Sequence, residues 1–171
     1  MIDIIRGNEL PEQAAAEESF CRLYEYWRSV IPDDRMLPGR QHINPADITD
    51  LLGRIALVDV HYKENEMQFQ YRLWGSIMTE IMGQDCTGKF IHNLFFGKQL
   101  ETIHHAFKSV VEFGCPHFCE VTWGVENKEY RKYKRLLLPL AADGKTVNMI
   151  LGAIVESEPI VEQFSFSTYA D

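Results

Sequence analysis

The sequence predicts an α+β fold, a five-stranded antiparallel sheet with helices on one face plus an N-terminal amphipathic helix. Residues 67–73 alternate apolar and polar side chains, which is the period of a half-buried strand. Residues 99–113 instead repeat apolar side chains at helical spacing, and strand-like segments follow at 118–125, 130–140 and 147–157. Because strands lie at both ends of this order and helices lie between them, we expect a single sheet covered by the central helices.

Length and charge indicate one domain without a nucleic-acid or membrane partner. The chain has 171 residues and a formal net charge of -8, whereas nucleic acids and anionic membranes select basic surfaces. The most basic run, residues 128–135, alternates with tyrosines and is interpreted as a solvated strand face. The first residues lack the apolar core of a signal peptide, and no apolar run is long enough for a membrane helix. We therefore expect a cytoplasmic protein whose four cysteines are reduced.

Three segments are expected along the chain. Residues 1–12 form a flexible leader, residues 13–157 a single domain that includes the N-terminal helix, and residues 158–171 a C-terminal tail. The helix is predicted over residues 13–31 and ends at Pro32. Its apolar stripe either packs against the domain's own sheet or forms the seam of a homodimer. The stripe consists of Ala16, Phe20, Leu23, Trp27 and Val30.

The middle of the chain predicts a pocket wall. A short helix is capped by Asn44, and a strand at residues 55–60 then precedes a polar turn at 63–66. With the alternating strand this makes an antiparallel hairpin. A short apolar helix follows and ends at Gly83. A strand that turns directly into such a helix is a way to enclose a small-molecule cavity.

This order of elements resembles the PAS domain. It is most similar to the short bacterial PAS-like family that was once catalogued as a domain of unknown function, and the similarity covers residues 17–156. The segments that carry it are Leu23-Tyr24-Glu25-Tyr26-Trp27, Leu37-Pro38-Gly39-Arg40 with Ile43-Asn44-Pro45-Ala46-Asp47-Ile48, Leu51-Leu52-Gly53-Arg54-Ile55 with Val58-Asp59-Val60, Tyr71-Arg72-Leu73-Trp74-Gly75, Gly83-Gln84-Asp85-Cys86-Thr87-Gly88, and Leu137-Leu138-Pro139-Leu140 with Asp143-Gly144.

The resemblance implies a sheet that curls around a cavity roofed by the central helices. It also implies sensing or protein association, usually as a dimer, and it implies no catalytic residue and no particular ligand. Many PAS domains adjoin a kinase, a cyclase or a DNA-binding module, for which this chain has no room. We therefore expect it to act on a separate signalling protein or by dimer exchange.

A set of apolar and aromatic side chains is expected to line the cavity, although the same side chains could simply fill a core. Arg72 stands among apolar neighbours, so it either forms an ion pair with Asp59 or Asp85 or binds a charged group of a ligand. The predicted ligand-binding residues are Trp74, Met78, Met82, Phe95, Leu100, His104, Phe107, Trp123, Met149 and Arg72.

No cofactor and no metal are expected. Cys86 lies in a Gly-Gln-Asp-Cys context similar to that of the blue-light flavin PAS domains, but the arginine and glutamine that hold the flavin phosphate there are replaced by Thr87 and Gly88. His104 lies where haem-binding PAS domains carry their axial histidine, although a structural hydrogen bond is the simpler role. Cys115 and Cys119 make only half of a zinc set.

Three functions fit these observations. The first is a stand-alone sensory module that binds a small apolar or amphipathic ligand and relays its presence through dimer or partner contacts. The second is an interaction adaptor with a filled core. The third, an enzyme on an α+β scaffold, needs a carboxylate or histidine pair in the pocket, and no catalytic arrangement of recognisable spacing occurs.

Overall fold

One antiparallel sheet organises the chain. The structure, a computed structural model, describes residues 2–5, 9–64, 66–124 and 130–157. The five predicted strands are confirmed, and a sixth, β1, lies at the edge of the sheet, where the sequence predicted a flexible leader. The predicted tail, residues 158–171, lies outside the described residues. The strands are β1 (Ile2–Ile4), β2 (Ile55–Lys63), β3 (Glu66–Trp74), β4 (His117–Gly124), β5 (Tyr130–Leu140) and β6 (Met149–Glu156), arranged in the order β1-β4-β5-β6-β2-β3.

The helices follow the predicted pattern with one interruption. The N-terminal helix is divided between α1 (Glu12–Ala15) and α2 (Glu18–Ser29), because Glu17 has an extended backbone with φ −101° and ψ 109°. The two central helices are α3 (Ser76–Met82) and α4 (Gly97–Phe113). Both end at a glycine in the left-handed conformation, Gly83 with φ 71° and Gly114 with φ 59°, as the sequence predicts.

The outer face of the sheet is covered by α2. Successive strand residues point to opposite faces, so Lys134, Leu136, Leu138 and Leu140 of β5 share one side. The Phe20 ring of α2 meets the Phe118 ring edge to face at 6.2 Å, and Phe118 pairs with Leu136 across the sheet. The Trp27 indole N–H donates to the Pro139 carbonyl oxygen at 2.9 Å. Phe20, Leu23 and Trp27 of the predicted stripe are therefore buried against the chain's own sheet, the first of the two interpretations, whereas Ala16 is exposed.

The inner face is covered by α3 and α4. Tyr133, Arg135 and Leu137 of β5 point to this side. The Arg135 guanidinium lies over the Phe107 ring of α4, with Cζ 5.8 Å from the ring centroid. Phe107 also meets the Phe69 ring of β3 edge to face at 5.3 Å. Helices thus pack on both faces of β5, with α2 outside and α4 inside.

A bulge in β3 reverses the direction of its last side chains. Leu57 pairs with Leu73 and Val58 pairs with Tyr71, so Arg72 is the extra residue between them. Beyond the bulge Trp74 points to the inner face with Tyr71, and their rings meet at 4.6 Å. Leu73, predicted to share the face of Tyr71, is therefore partly exposed on the outside.

Candidate ligand site

An interior cavity of about 70 Å³ lies between the inner face of the sheet and helices α3 and α4. The walls come from β3, both helices and the neighbouring strands β4, β5 and β6, so every layer of the inner side contributes. The lining residues are Tyr71, Trp74, Met78, Ile81, Met82, Phe95, Ile103, Val121, Tyr133, Arg135 and Ile154.

Four of the predicted lining residues border this cavity: Trp74, Met78, Met82 and Phe95. Their placement follows from the strand–turn–helix element recognised in the sequence. A Cβ at Gly75 would collide with the carbonyl oxygen of Gly53, so glycine is required where β3 turns into α3. This close approach positions the whole wall formed by α3.

Three further predicted residues lie on the inner side but do not line this cavity. Leu100 and His104 line a separate surface groove of about 460 Å³ between β3 and α4. The His104 Nε2–H donates to the Met67 carbonyl oxygen at 3.2 Å, which is the structural role considered for it. Phe107 is buried in the core between these two spaces, against Phe69 and Tyr71.

Arg72 and Met149 lie away from the cavity. Met149 pairs with Leu140, whose side chain belongs to the outer face covered by α2. The expectation that Arg72 is buried was wrong, because its position in the bulge leaves its side chain 57% exposed. Its Nε donates to both carboxylate oxygens of Asp59 at 2.9 Å, so the ion-pair interpretation is the one observed. Asp85 accepts a hydrogen bond from the Thr87 backbone N–H instead.

Trp123 lies on β4, but its side chain is outside the described residues.

Arg135 is the most informative residue that sequence reasoning missed. It belongs to the basic run 128–135, which was interpreted as a solvated strand face, yet its side chain borders the cavity. Its Nε is buried without a hydrogen-bond partner, and one Nη donates only to the Cys119 sulfur at 3.4 Å. The signal in the sequence was the uninterrupted apolar run that follows Arg135, because Leu136, Leu137 and Leu138 are all buried and show that both faces of this strand are covered.

A second donor at the cavity also lacks a partner. The Trp74 indole Nε1 is buried and makes no hydrogen bond, unlike the indole of Trp27. The Tyr71 hydroxyl is nearby in the same wall, and burial raises the pKa of this phenol well above its ordinary value. The Arg135 charge lowers that pKa and Cys86 raises it, but desolvation dominates. The side chains of Arg135 and Trp74, each of which carries a buried donor without a hydrogen-bond partner, thus border one small and largely apolar space.

The cavity does not fit a flavin or a haem. Pockets for drug-sized ligands have volumes of roughly 300–1,000 Å³, several times the volume found here. The Cys86 side chain is buried outside the lining set, where its thiol donates weakly to the Gln84 carbonyl oxygen at 3.8 Å. Burial raises the pKa of the Cys86 thiol, which disfavours the reactive thiolate.

Cys115 and Cys119 lie on either side of the turn from α4 into β4. The Cys115 thiol donates to the Phe113 carbonyl oxygen at 3.3 Å, and Cys119 accepts from Arg135. Within the described parts of the chain, no three or more His, Cys, Asp or Glu residues are grouped as metal ligands would be.

A helix-covered antiparallel sheet with a small inner cavity defines the chain as an α+β domain. Residues 15–155 match the family described as PAS domain, and the chain belongs to that family. No curated protein matches.

Two similar solved structures are light-oxygen-voltage (LOV) proteins. The Rhodobacter sphaeroides LOV protein is 16% identical with a TM-score of 0.47, and the alignment covers 64% of each chain. An RNA-binding light-oxygen-voltage receptor is 12% identical with a TM-score of 0.51, and 91% of this chain covers 38% of that one. The chain therefore spans less than two thirds of the length of either relative. At these identities the second likeness supports the fold alone.

The PAS fold is typical of sensory modules rather than enzymes. Among the described residues, none belongs to a helix long and apolar enough to cross a membrane.

Proposed function

We propose that this protein is a sensory PAS module that binds a small ligand in the cavity bordered by Trp74 and Arg135. The observation that carries the proposal is that Arg135 and Trp74, which each hold a buried donor without a hydrogen-bond partner, border the same largely apolar space. Buried polar groups are almost always hydrogen-bonded, and leaving one unpaired costs about 1–3 kcal/mol. A ligand that accepts these hydrogen bonds would remove that cost.

The relay we propose runs across β5. Arg135 borders the cavity, and its neighbour Lys134 points to the opposite face, where Nζ contacts the Glu17 carboxylate at 2.7 Å. Glu17 is the extended residue that separates α1 from α2. A ligand that repositions the Arg135 segment would therefore act on the N-terminal helices through one ion pair.

The output would be a change in contact with a second copy or a separate signalling protein. The apolar stripe of α2 is buried within the chain, so a homodimer through this helix would use its outward side rather than the predicted seam. That dimer, like the cytoplasmic location, stays a prediction.

The test is to fill the cavity and measure ligand retention. Met82 borders the cavity, so Met82→Trp should abolish retention of any small molecule that copurifies with the parent, while the melting temperature stays within a few degrees. Met36→Trp is the control, because Met36 is 78% exposed and lies outside the cavity. Native mass spectrometry and solvent extraction followed by mass spectrometry would detect the molecule. Equal retention by both variants would show that the cavity is not the site.

The second candidate is an interaction adaptor without a ligand. The small volume of about 70 Å³ favours it, because much of the predicted pocket is filled by its own side chains. A parent protein from which neither method recovers a molecule, and which binds no added probe, would support the adaptor. An enzyme is disfavoured, because the described lining residues include no carboxylate and no histidine.

A further inference from the structure

We propose that the ligand is a small carboxylate with a short apolar tail, bound by the Arg135 guanidinium and the Trp74 indole. This inference rests on the proposed ligand-binding function and names the chemical class of the ligand. It is carried by the donors that border the cavity and by the volume and polarity of the remaining walls.

The charge at Arg135 selects an anion. Arginine stays protonated in proteins, and the partial burial of Arg135, with its Nε fully buried, favours a partner of opposite charge. In the described ranges no carboxylate lies within ion-pair distance of Arg135, although Arg72 and Lys134 each have one. Its observed contacts are the Phe107 ring and the Cys119 sulfur, and neither supplies a full negative charge. The chain as a whole carries a net charge of -8, so attraction for an anion must come from this local cation.

The second donor selects an oxygen acceptor. The Trp74 indole is donor only, and its N–H is buried beside the same cavity without a partner. A carboxylate has two oxygens with about four acceptor sites, so one group can accept from both a guanidinium and an indole. A hydroxyl or an amine could serve the indole, but neither would neutralise Arg135.

The remaining walls select a short apolar tail. Met78, Met82, Ile81, Phe95 and Ile103 present only hydrocarbon and thioether atoms. The small volume of about 70 Å³ limits the tail to a few carbons. Acetate, propionate and butyrate therefore form the series that tests which tail length the cavity accepts. A purely inorganic anion would leave the apolar walls unused.

Calorimetric titration with sodium propionate tests the proposal, with propionamide as the neutral analogue of the same shape. Chloride and sulfate, at matched ionic strength, test for unspecific anion binding. We expect the parent to bind propionate at least about tenfold more tightly than propionamide, because hydrogen bonds to a charged group are the stronger ones. We also expect chloride and sulfate to bind at least tenfold more weakly than propionate.

Variants assign the binding to the named side chains. Arg135→Gln should weaken propionate binding at least about tenfold, and Arg135→Lys, which keeps the charge but loses the fork, should weaken it less. Arg72→Gln is the matched control, since Arg72 is exposed and paired on the outer face, and it should leave affinity unchanged. If Arg135→Gln does not fold, Trp74→Phe serves instead, because it removes one donor and keeps most of the ring.

The ¹⁵N resonances of the tryptophan indoles provide a second measurement of binding that does not depend on the heat released in calorimetry. Propionate should shift the ¹⁵N-indole signal of Trp74, assigned from Trp74→Phe, and leave that of Trp27, which is already bonded to Pro139. Four results would overturn the carboxylate assignment: propionamide or sulfate binding as tightly as propionate, folded Arg135 variants with parental affinity, an unmoved Trp74 signal at saturation, or no binding of acetate, propionate or butyrate. The retention experiment with Met82→Trp decides the proposed function separately, since a neutral molecule recovered from the parent would contradict only the carboxylate class.

Discussion

The two faces of β5 carry similar chemical groups, but only the outer face gives each of them a partner. Outside, Lys134 is bonded to Glu17 and the Trp27 indole is bonded to the Pro139 carbonyl. Inside, Arg135 meets no carboxylate in the described residues, and the Trp74 indole is unbonded. Buried donors in folded proteins are normally satisfied, and this difference between the faces is the reason that we propose a ligand for the inner one.

The apolar part of the outer face should produce the largest loss of stability. Phe20 is fully buried beneath α2, so Phe20→Ala should lower the free energy of unfolding by about 3–5 kcal/mol. Phe96→Ala is the control, because Phe96 is 73% exposed and should change it by less than about 0.5 kcal/mol. Urea unfolding followed by circular dichroism measures both. A loss below 1 kcal/mol at Phe20 would mean that α2 is not part of the folded core.

The two indoles provide the sharpest comparison between the faces. Trp27→Phe leaves the buried Pro139 carbonyl without its donor, which should cost about 1–3 kcal/mol. Trp74→Phe removes a donor that has no partner, so it should be close to neutral. Urea unfolding of the two variants, purified without carboxylate buffers, should differ by at least about 1 kcal/mol. Equal losses would contradict the contrast between a satisfied and an unsatisfied indole.

The sequence predicted the elements well because their signals are local. Period-two alternation identified β3, helical spacing identified α4, and glycine identified the ends of both central helices. What it missed depends on partners that are distant in sequence. The bulge at Arg72 arises from the register with β2, so alternation alone assigned Leu73 to the wrong side. Arg135 was assigned to solvent because it belongs to a basic run, and the charge of that run gave no indication of the partly buried position of this one side chain.

Only part of the candidate site followed from those local signals. Trp74, Met78 and Met82 come from the strand–turn–helix element and were predicted as cavity residues. Tyr71, Tyr133 and Arg135 reach the cavity from strands whose inner faces were fixed only by pairing with their neighbours. When several strands contribute to a site, the sequence therefore predicts only those lining residues that lie on one continuous element.

The two cations on β5 should respond to the same substitution with opposite signs. Lys134→Met removes a half-buried ion pair, in which the two side chains are 18% and 25% exposed, and should lower the free energy of unfolding by about 1 kcal/mol. Arg135→Met replaces a charge without a carboxylate by an apolar chain, so it should be neutral or stabilising. Thermal and urea unfolding would measure both variants. A larger loss at Arg135 than at Lys134 would indicate that the inner cation has a structural partner after all.

Arg72 should show a small effect, although its Nε lies 2.9 Å from both carboxylate oxygens of Asp59. Its side chain is 57% exposed, so solvent screens the pair with Asp59 and holding the geometry costs side-chain entropy. Arg72→Gln should therefore change the free energy of unfolding by less than about 0.5–1 kcal/mol, as measured by urea unfolding in low salt. A loss above 2 kcal/mol would show that the bulge itself depends on this pair. The outer cation, Arg72, has a carboxylate partner, whereas the inner cation, Arg135, contacts no carboxylate of the described residues and is the one that we propose binds a ligand.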